Sequence, residues 1–228
     1  MTRMTDEWIA RVWKDNPCVQ LGNGEIRTGP VRLGFCNVLE RPKPGADGKE
    51  RAYGVVLLFP DTALLGPEPL KPFHAAMAAL YKEKAPAALT NPKLREKYHN
   101  PLKDQGTFLD KKTGDAYAGF VEGRVAISAN SSQTKPLVVD QRGAPITDKA
   151  RVYSGAWALA ALMPGWIKAT ENPGPTFYLQ SLMIVADDDS LGGVGTSNPQ
   201  VSFAGVKIDP TVNPGAMFDD GDPLAQYA

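Results

Sequence analysis

The sequence predicts a mainly β protein: a small, partly open Greek-key barrel with one long helix, a long basic loop and an acidic C-terminal tail. Three observations carry this. Short runs of alternating apolar residues lie between turn-forming stretches, and a single long stretch has helical period. Charge is also unevenly placed along the chain, although the net charge is zero. Residues 1–186 hold 24 of the 25 basic and 18 of the 25 acidic groups, a balance of +6, so residues 187–228 carry −6.

Taken in order, residues 5–14 read as a short amphipathic helix. Thr5 and Asp6 are candidate caps, and Trp8, Ile9, Val12 and Trp13 fall on one face that can dock on the body. Val31 to Leu39 alternates as a half-buried strand, and Ala52 to Phe59 sets Tyr53, Val55, Leu57 and Phe59 on one side. The hairpin between them has a basic tip and shoulders in Arg41, Lys43, Lys49 and Arg51. A helix is predicted over 67–84, with Pro67 and Pro69 in its first turn and Phe73, Met77, Leu80 and Tyr81 on one face. Residues 86–119 lose periodicity and gain Lys93, Arg95, Lys97, Lys103, Lys111 and Lys112, the pattern of a functional loop. Strands are expected again at 123–130, 137–139, 151–162 and 176–186, with Pro164-Gly165 as a bend that holds Trp166. Gly192 to Gly195 reads as a turn, and residues 209–228, with Pro210, Pro214 and the Asp cluster, read as a mobile tail. The domain plan is therefore 1–29 as an N-terminal extension, 30–208 as the barrel and 209–228 as the tail. Such a pattern admits an OB-fold or another small barrel.

Catalytic constellations are hard to assemble. GxSxG, Walker A and HExxH motifs are missing, and His74 and His99 are the only histidines. Cys18 and Cys36 cannot complete a four-ligand zinc site without carboxylates. The run Asp187-Asp188-Asp189 could hold a hard cation, but three carboxylates at a strand end also read as a solvated terminus. The expectation is no catalytic residue, no metal and no cofactor. No apolar run reaches the ~18–20 residues of a membrane helix, and the N-terminus lacks a signal-peptide core, so a soluble cytoplasmic protein is expected.

A basic body with an acidic tail is a pattern of proteins that handle a polyanion. Binding a single strand needs cations for phosphates and aromatic faces for bases. The predicted strands offer both, and the candidate nucleic-acid contacts are Arg32, Arg51, Tyr53, Arg124, Lys135, Arg142, Tyr153, Trp157 and Tyr178. Tyr153 and Trp157 are read as sharing one side of a strand. The competing reading is a virion structural or adaptor protein that uses the barrel to dock other proteins.

The order of shorter motifs resembles a family of tailed-phage single-stranded-DNA-binding proteins. They are Asn37-Val38-Leu39-Glu40-Arg41-Pro42, the Tyr53–Pro60 strand, Asp115-Ala116-Tyr117-Ala118-Gly119 and Ile127-Ser128-Ala129-Asn130. Then come Lys135 to Asp140, Gly143-Ala144-Pro145-Ile146-Thr147-Asp148, Tyr153-Ser154-Gly155 and Leu191-Gly192-Gly193. The resemblance implies an OB-fold and sequence-tolerant single-strand binding beside phage replication or recombination enzymes, in the cytoplasm of an infected bacterium. It also implies an acidic tail that recruits those enzymes, here Phe218, Asp219, Asp220 and Asp222, although the chain runs on from Pro223 to Ala228 past them. A homodimer is compatible with this and is not specified by it.

Overall fold

The first helix of the computed structural model, α1 (Asp6–Asp15), forms where the apolar spacing places it. The structure describes residues 4–45, 48–169 and 171–192. The Thr5 hydroxyl accepts the Trp8 N–H at 3.2 Å, closing the first turn. Ile9 and Trp13 are buried, so the helix docks on the body. Strands β1 (Val19–Gln20), β2 (Ile26–Arg27), β3 (Val31–Asn37) and β4 (Tyr53–Leu58) follow. Next are helices α2 (Lys71–Lys84), α3 (Pro86–Thr90) and α4 (Pro92–Arg95), then β5 (Leu102–Asp104) and β6 (Val125–Ser131). The last strands are β7 (Leu137–Val139), β8 (Trp157–Ile167) and β9 (Gly174–Ala186).

Five strands wrap into a barrel in the order β3-β4-β6-β9-β8, and β8 returns to β3. Around the barrel every pairing is antiparallel except β6 with β9, which meet in parallel at the single pair Asn130 and Tyr178. This is the connectivity of an OB-fold, and the narrow β6–β9 seam makes it the partly open barrel expected from the pattern. β1 and β2 extend the sheet beyond β8, β7 adds to β9, and β5 pairs with β6.

Inside the barrel, alternate residues of each strand build one core. β4 contributes Val55 and Leu57, β6 Ile127 and Ala129, and β9 Phe177 and Leu179. Edge-on rings link the layers: Trp13 to Phe59, Phe59 to Phe73 and Phe73 to Phe177, with centroids 6.1, 5.8 and 5.0 Å apart. They tie α1, the barrel and α2 into one apolar body. Gln105, buried against it, donates through Nε2 to the carbonyls of Phe59 and Val125 and accepts the Val121 N–H at 3.0 Å. These bonds fix the segment that follows β5 to the barrel.

Three expectations are corrected. The long helix begins at Lys71 instead of 67, with Pro72 in its first turn in place of Pro67 and Pro69. The aperiodic stretch 86–119 folds locally into α3, α4, β5 and a bridge from Leu109 to Ala116. These pieces are too short for periodicity to reveal. Arg95, reaching back to the carbonyls of Ala88 and Leu89, and His99, whose Nδ1 donates to Pro175 O at 2.9 Å, hold them. Finally, the strand expected at 151–162 starts at Trp157 and runs through Pro164-Gly165 to Ile167. β2 has already ended opposite Leu162, so only β9 flanks β8 at Pro164 and the missing N–H costs no ladder bond. Trp166 is therefore a strand residue, packed at 5.6 Å from Tyr81 and 5.7 Å from Tyr98.

Candidate nucleic-acid interface

Residues that alternate with the core on β4, β6 and β9 form the barrel's outer face. On β4 these are Gly54, Val56 and Leu58, paired respectively with Asn130, Ser128 and Ala126 of β6. One end of this face is covered. Val56, Leu58 and Ala126 bury themselves beneath Phe120, with Phe108, Tyr117 and Leu191 around them. β4 is thus apolar on both sides, a pattern that alternation alone would not give. The other end, Gly54, Asn130 and Tyr178, is open.

Two glycines shape the open end. A Cβ on Gly165 would collide with the Cδ2–Cε2 edge of the Tyr178 ring, so that edge rests against bare backbone of the neighbouring strand. Tyr178 meanwhile stays 40% exposed. Across the seam, a Cβ on Gly54 would collide with Asn130 Oδ1, so the bare glycine makes room for that side-chain oxygen. The result is a low shelf with an aromatic platform and an amide on neighbouring strands.

Where the covered and open parts meet, β3 has a bulge between Gly34 and Asn37. Phe35 sits in it with φ of 45°, a left-handed conformation costly for a side chain with a Cβ, and is 39% exposed. Its ring stands edge-on to Tyr117 at 4.7 Å and tilts on Phe120 at 5.2 Å. Lys103, paired with Ala126, shares the outer face and is exposed. Lys111 and Lys112 are exposed in the turn between the bridged Leu109 and Ala116. Phe35, Lys103, Tyr117 and Asn130 were not among the sequence-derived contacts. The bulge leaves no periodic signal, and the paired identity of Lys103 is visible only in three dimensions.

The nine expected contacts separate into two groups. Tyr178 stands on the open shelf, and Arg51, Lys135 and Arg142 are exposed. Lys135 and Arg142 lie in loops beside β7, with Arg142 in a turn where the Ala144 and Arg142 N–H groups hold the Asp140 carboxyl below its usual range. Tyr53 is half-buried at the barrel rim, on the core side of β4, with the Arg41 guanidinium 5.0 Å from its ring centre. Arg124 is half-buried and lines a cleft of about 510 Å³ together with Arg32.

Arg32, Tyr153 and Trp157 belong instead to an interior network. Trp157 is 5% exposed, and its Nε1 donates to Asp188 Oδ2 at 2.9 Å. Its expected place as an open stacking face is corrected by this burial. Arg32 donates to Gly155 O at 3.1 Å and Asp189 O at 2.7 Å, and its Nη2 lies 3.6 Å from Asp188 Oδ2. Tyr153 precedes β8 and does not share a strand side with Trp157. Its hydroxyl donates to Asp188 O at 2.9 Å, and burial pushes its pKa up. Asp188 is 3% exposed, so the expected solvated carboxylate run has a buried structural acid at its centre. Among the described residues no group of three or more candidate ligands is placed to hold a metal ion. Burial raises the Cys18 and Cys36 thiols to about 12, which keeps both protonated at neutral pH. Phe218, Asp219, Asp220 and Asp222 lie outside the described residues, as does the turn from Gly193 onward.

Among the described residues no helix is long and apolar enough to cross a membrane. Residues 24–210 match the family described as Enterobacter phage Enc34, ssDNA-binding protein. No curated protein matches the chain. Among solved structures, the single-stranded DNA-binding protein from bacteriophage Enc34 in complex with ssDNA is similar at 22% identity and a TM-score of 0.51. That match covers 77% of this chain and 94% of the other. The single-stranded DNA-binding protein gp2.5 encoded by bacteriophage T7 aligns at 14% identity and a TM-score of 0.47, over 78% of this chain and 100% of that one.

Proposed function

The chain belongs to the family of the Enterobacter phage Enc34 ssDNA-binding protein, and from that premise we propose that it binds single-stranded DNA on the open outer face of the barrel. The observation that carries the placement is Tyr178, whose ring edge is set against Gly165 and which is 40% exposed. A base stacked there adds about 1–3 kcal/mol whatever its identity, because every base has a π face. Phe35 and Tyr117 offer a second aromatic surface near the same face. Lys103, Lys111, Lys112, Arg51 and Lys135 are exposed cations for the phosphates. Affinity without sequence preference is what stacking and charge neutralisation supply together. Protecting single strands during phage DNA replication and recombination, in the cytoplasm of the infected bacterium, is a role of binding alone and involves no catalytic step.

Titrating the intrinsic tryptophan fluorescence with oligo(dT) tests this. If about five cations release counterions, affinity falls by about 100-fold between 50 and 200 mM salt. Neither a fluorescence change nor a mobility shift at low salt would remove the reading.

The acidic tail belongs to the same proposal. Residues 209–228 carry Asp209, Asp219, Asp220 and Asp222 and no basic group, so they can compete with DNA for the basic body. Phe218 with Asp219, Asp220 and Asp222 is the segment offered to replication and recombination proteins. Removing residues 209–228 is expected to tighten oligo(dT) binding at low salt, read by the same titration. An unchanged dissociation constant would show that the tail does not compete.

A further inference from the structure

We infer that Arg41 is a phosphate seat filled by Glu50 in the free protein, and that a DNA phosphate replaces the Glu50 carboxylate when a strand binds. The inference rests on the single-strand reading above. It adds to it one contact and a competitor for that contact, both in the loop between β3 and β4.

Arg41 reaches from that loop to the rim of the barrel. Its Nη2 donates to Ser132 O at 2.8 Å, just past the end of β6, and its guanidinium lies over the Tyr53 ring, 5.0 Å from the ring centre. Tyr53 and Ser131 are register partners, and one step along the same two strands are Gly54 and Asn130 of the open shelf. The carbonyl that holds Arg41 is therefore two residues, roughly 7 Å, from Asn130. A carbonyl at one corner and a ring under its face fix the plane of the fork, so it is set for an oxyanion. In the free protein that oxyanion is Glu50, whose Oε2 accepts from Nη1 at 2.5 Å. The Glu50 side chain is 78% exposed and has no other partner among the described residues. Glu40, the acid beside Arg41, is engaged with Lys149 of the turn before β8. An ion pair as exposed as Arg41–Glu50 is weak and screened by salt. A strand brings several phosphates at once and releases counterions as each is neutralised, which suffices to displace one carboxylate. Lys43 and Arg51, exposed on the same loop, draw the strand toward it. Glu50 thus lowers affinity by one small step without touching DNA.

The test is a double-mutant cycle over Arg41 and Glu50 in the full chain, with oligo(dT) titrated at several salt concentrations. Glu50→Gln keeps the size of the side chain and removes its charge. It is expected to bind about three-fold more tightly at low salt, the value of one exposed ion pair, and the gain should fade as salt rises. Arg41→Gln keeps a donor for Ser132 O and is expected to bind more weakly, with the salt slope reduced by about 0.7 for one phosphate contact. Adding Glu50→Gln to Arg41→Gln should recover less than half of the gain, because the pair it breaks is already gone. Equal gains in the two backgrounds would make Glu50 a general source of repulsion and overturn the inference. It is equally overturned by no gain in Glu50→Gln, or by an unchanged salt slope in Arg41→Gln. A full chain that binds oligo(dT) without this coupling loses this inference alone. One that does not bind oligo(dT) loses the single-strand reading with it.

Discussion

Replacing Tyr178 with alanine is expected to weaken oligo(dT) binding by about 10- to 100-fold, the value of one base–aromatic stack, with little change in melting temperature. The side chain is 40% exposed and rests on Gly165 without entering the core, so its removal opens no cavity. Tyr178→Phe should retain most of the affinity, since stacking needs the ring and not the hydroxyl. Gly165→Ala supplies an independent check. A methyl group at that position meets the Tyr178 ring edge and must tilt it away. The displaced atoms belong to an exposed side chain, so the fold can absorb the shift while the platform cannot. An affinity loss in Gly165→Ala approaching that of Tyr178→Ala would identify ring orientation as the controlling feature. Unchanged affinity in Tyr178→Ala would move the stacking site to Phe35 and Tyr117.

Tyr178 was legible in the sequence because its neighbours Phe177 and Leu179 alternate with it as core residues, leaving it outside. The same logic misplaced Trp157. Alternation says which side of a strand a residue takes, but not whether that side is later covered. For Trp157 it is covered, with the Asp188 carboxylate on its indole and Trp8 edge-on at 6.0 Å. β4 gives the reverse lesson. Its run Val55-Val56-Leu57-Leu58 serves two apolar clusters, one inside the barrel and one beneath Phe120. No local pattern announces the second, because Phe120 arrives from more than 60 positions along the chain. The α1 face, β7 and the core sides of β3 and β4 were readable since each is decided by its own residues. Phe35 was not, because a bulge is an interruption of pattern. The place of Asn130 beside Tyr178 was invisible, since it depends on a seam with a strand 48 residues later.

Asp188→Ala is expected to cost about 3–5 kcal/mol of stability, the range for breaking a buried ion pair from one side. Asp188 Oδ2 accepts the buried Trp157 Nε1–H and faces Arg32, while its Oδ1 accepts the Asp189 N–H at 2.7 Å. Truncation leaves an indole N–H and a guanidinium without their acid at the wall of the cleft. Thermal melting should drop by roughly 2–4 °C for each kcal/mol lost in a chain of this length. Asp188→Asn keeps an acceptor for the indole and should lose less than half as much. A melting temperature within 2 °C of the parent, at about the noise of that scale, would show that the network contributes nothing net. The companion measurement separates fold from function at Arg32. Its hydrogen bonds to Gly155 and Asp189 direct it inward, so Arg32→Ala should lower stability yet leave the salt slope of oligo(dT) binding unchanged. A slope reduced by about 0.7 would instead count Arg32 among the phosphate contacts. The interior network and the open shelf are thus expected to respond oppositely to mutation, one through melting and the other through affinity.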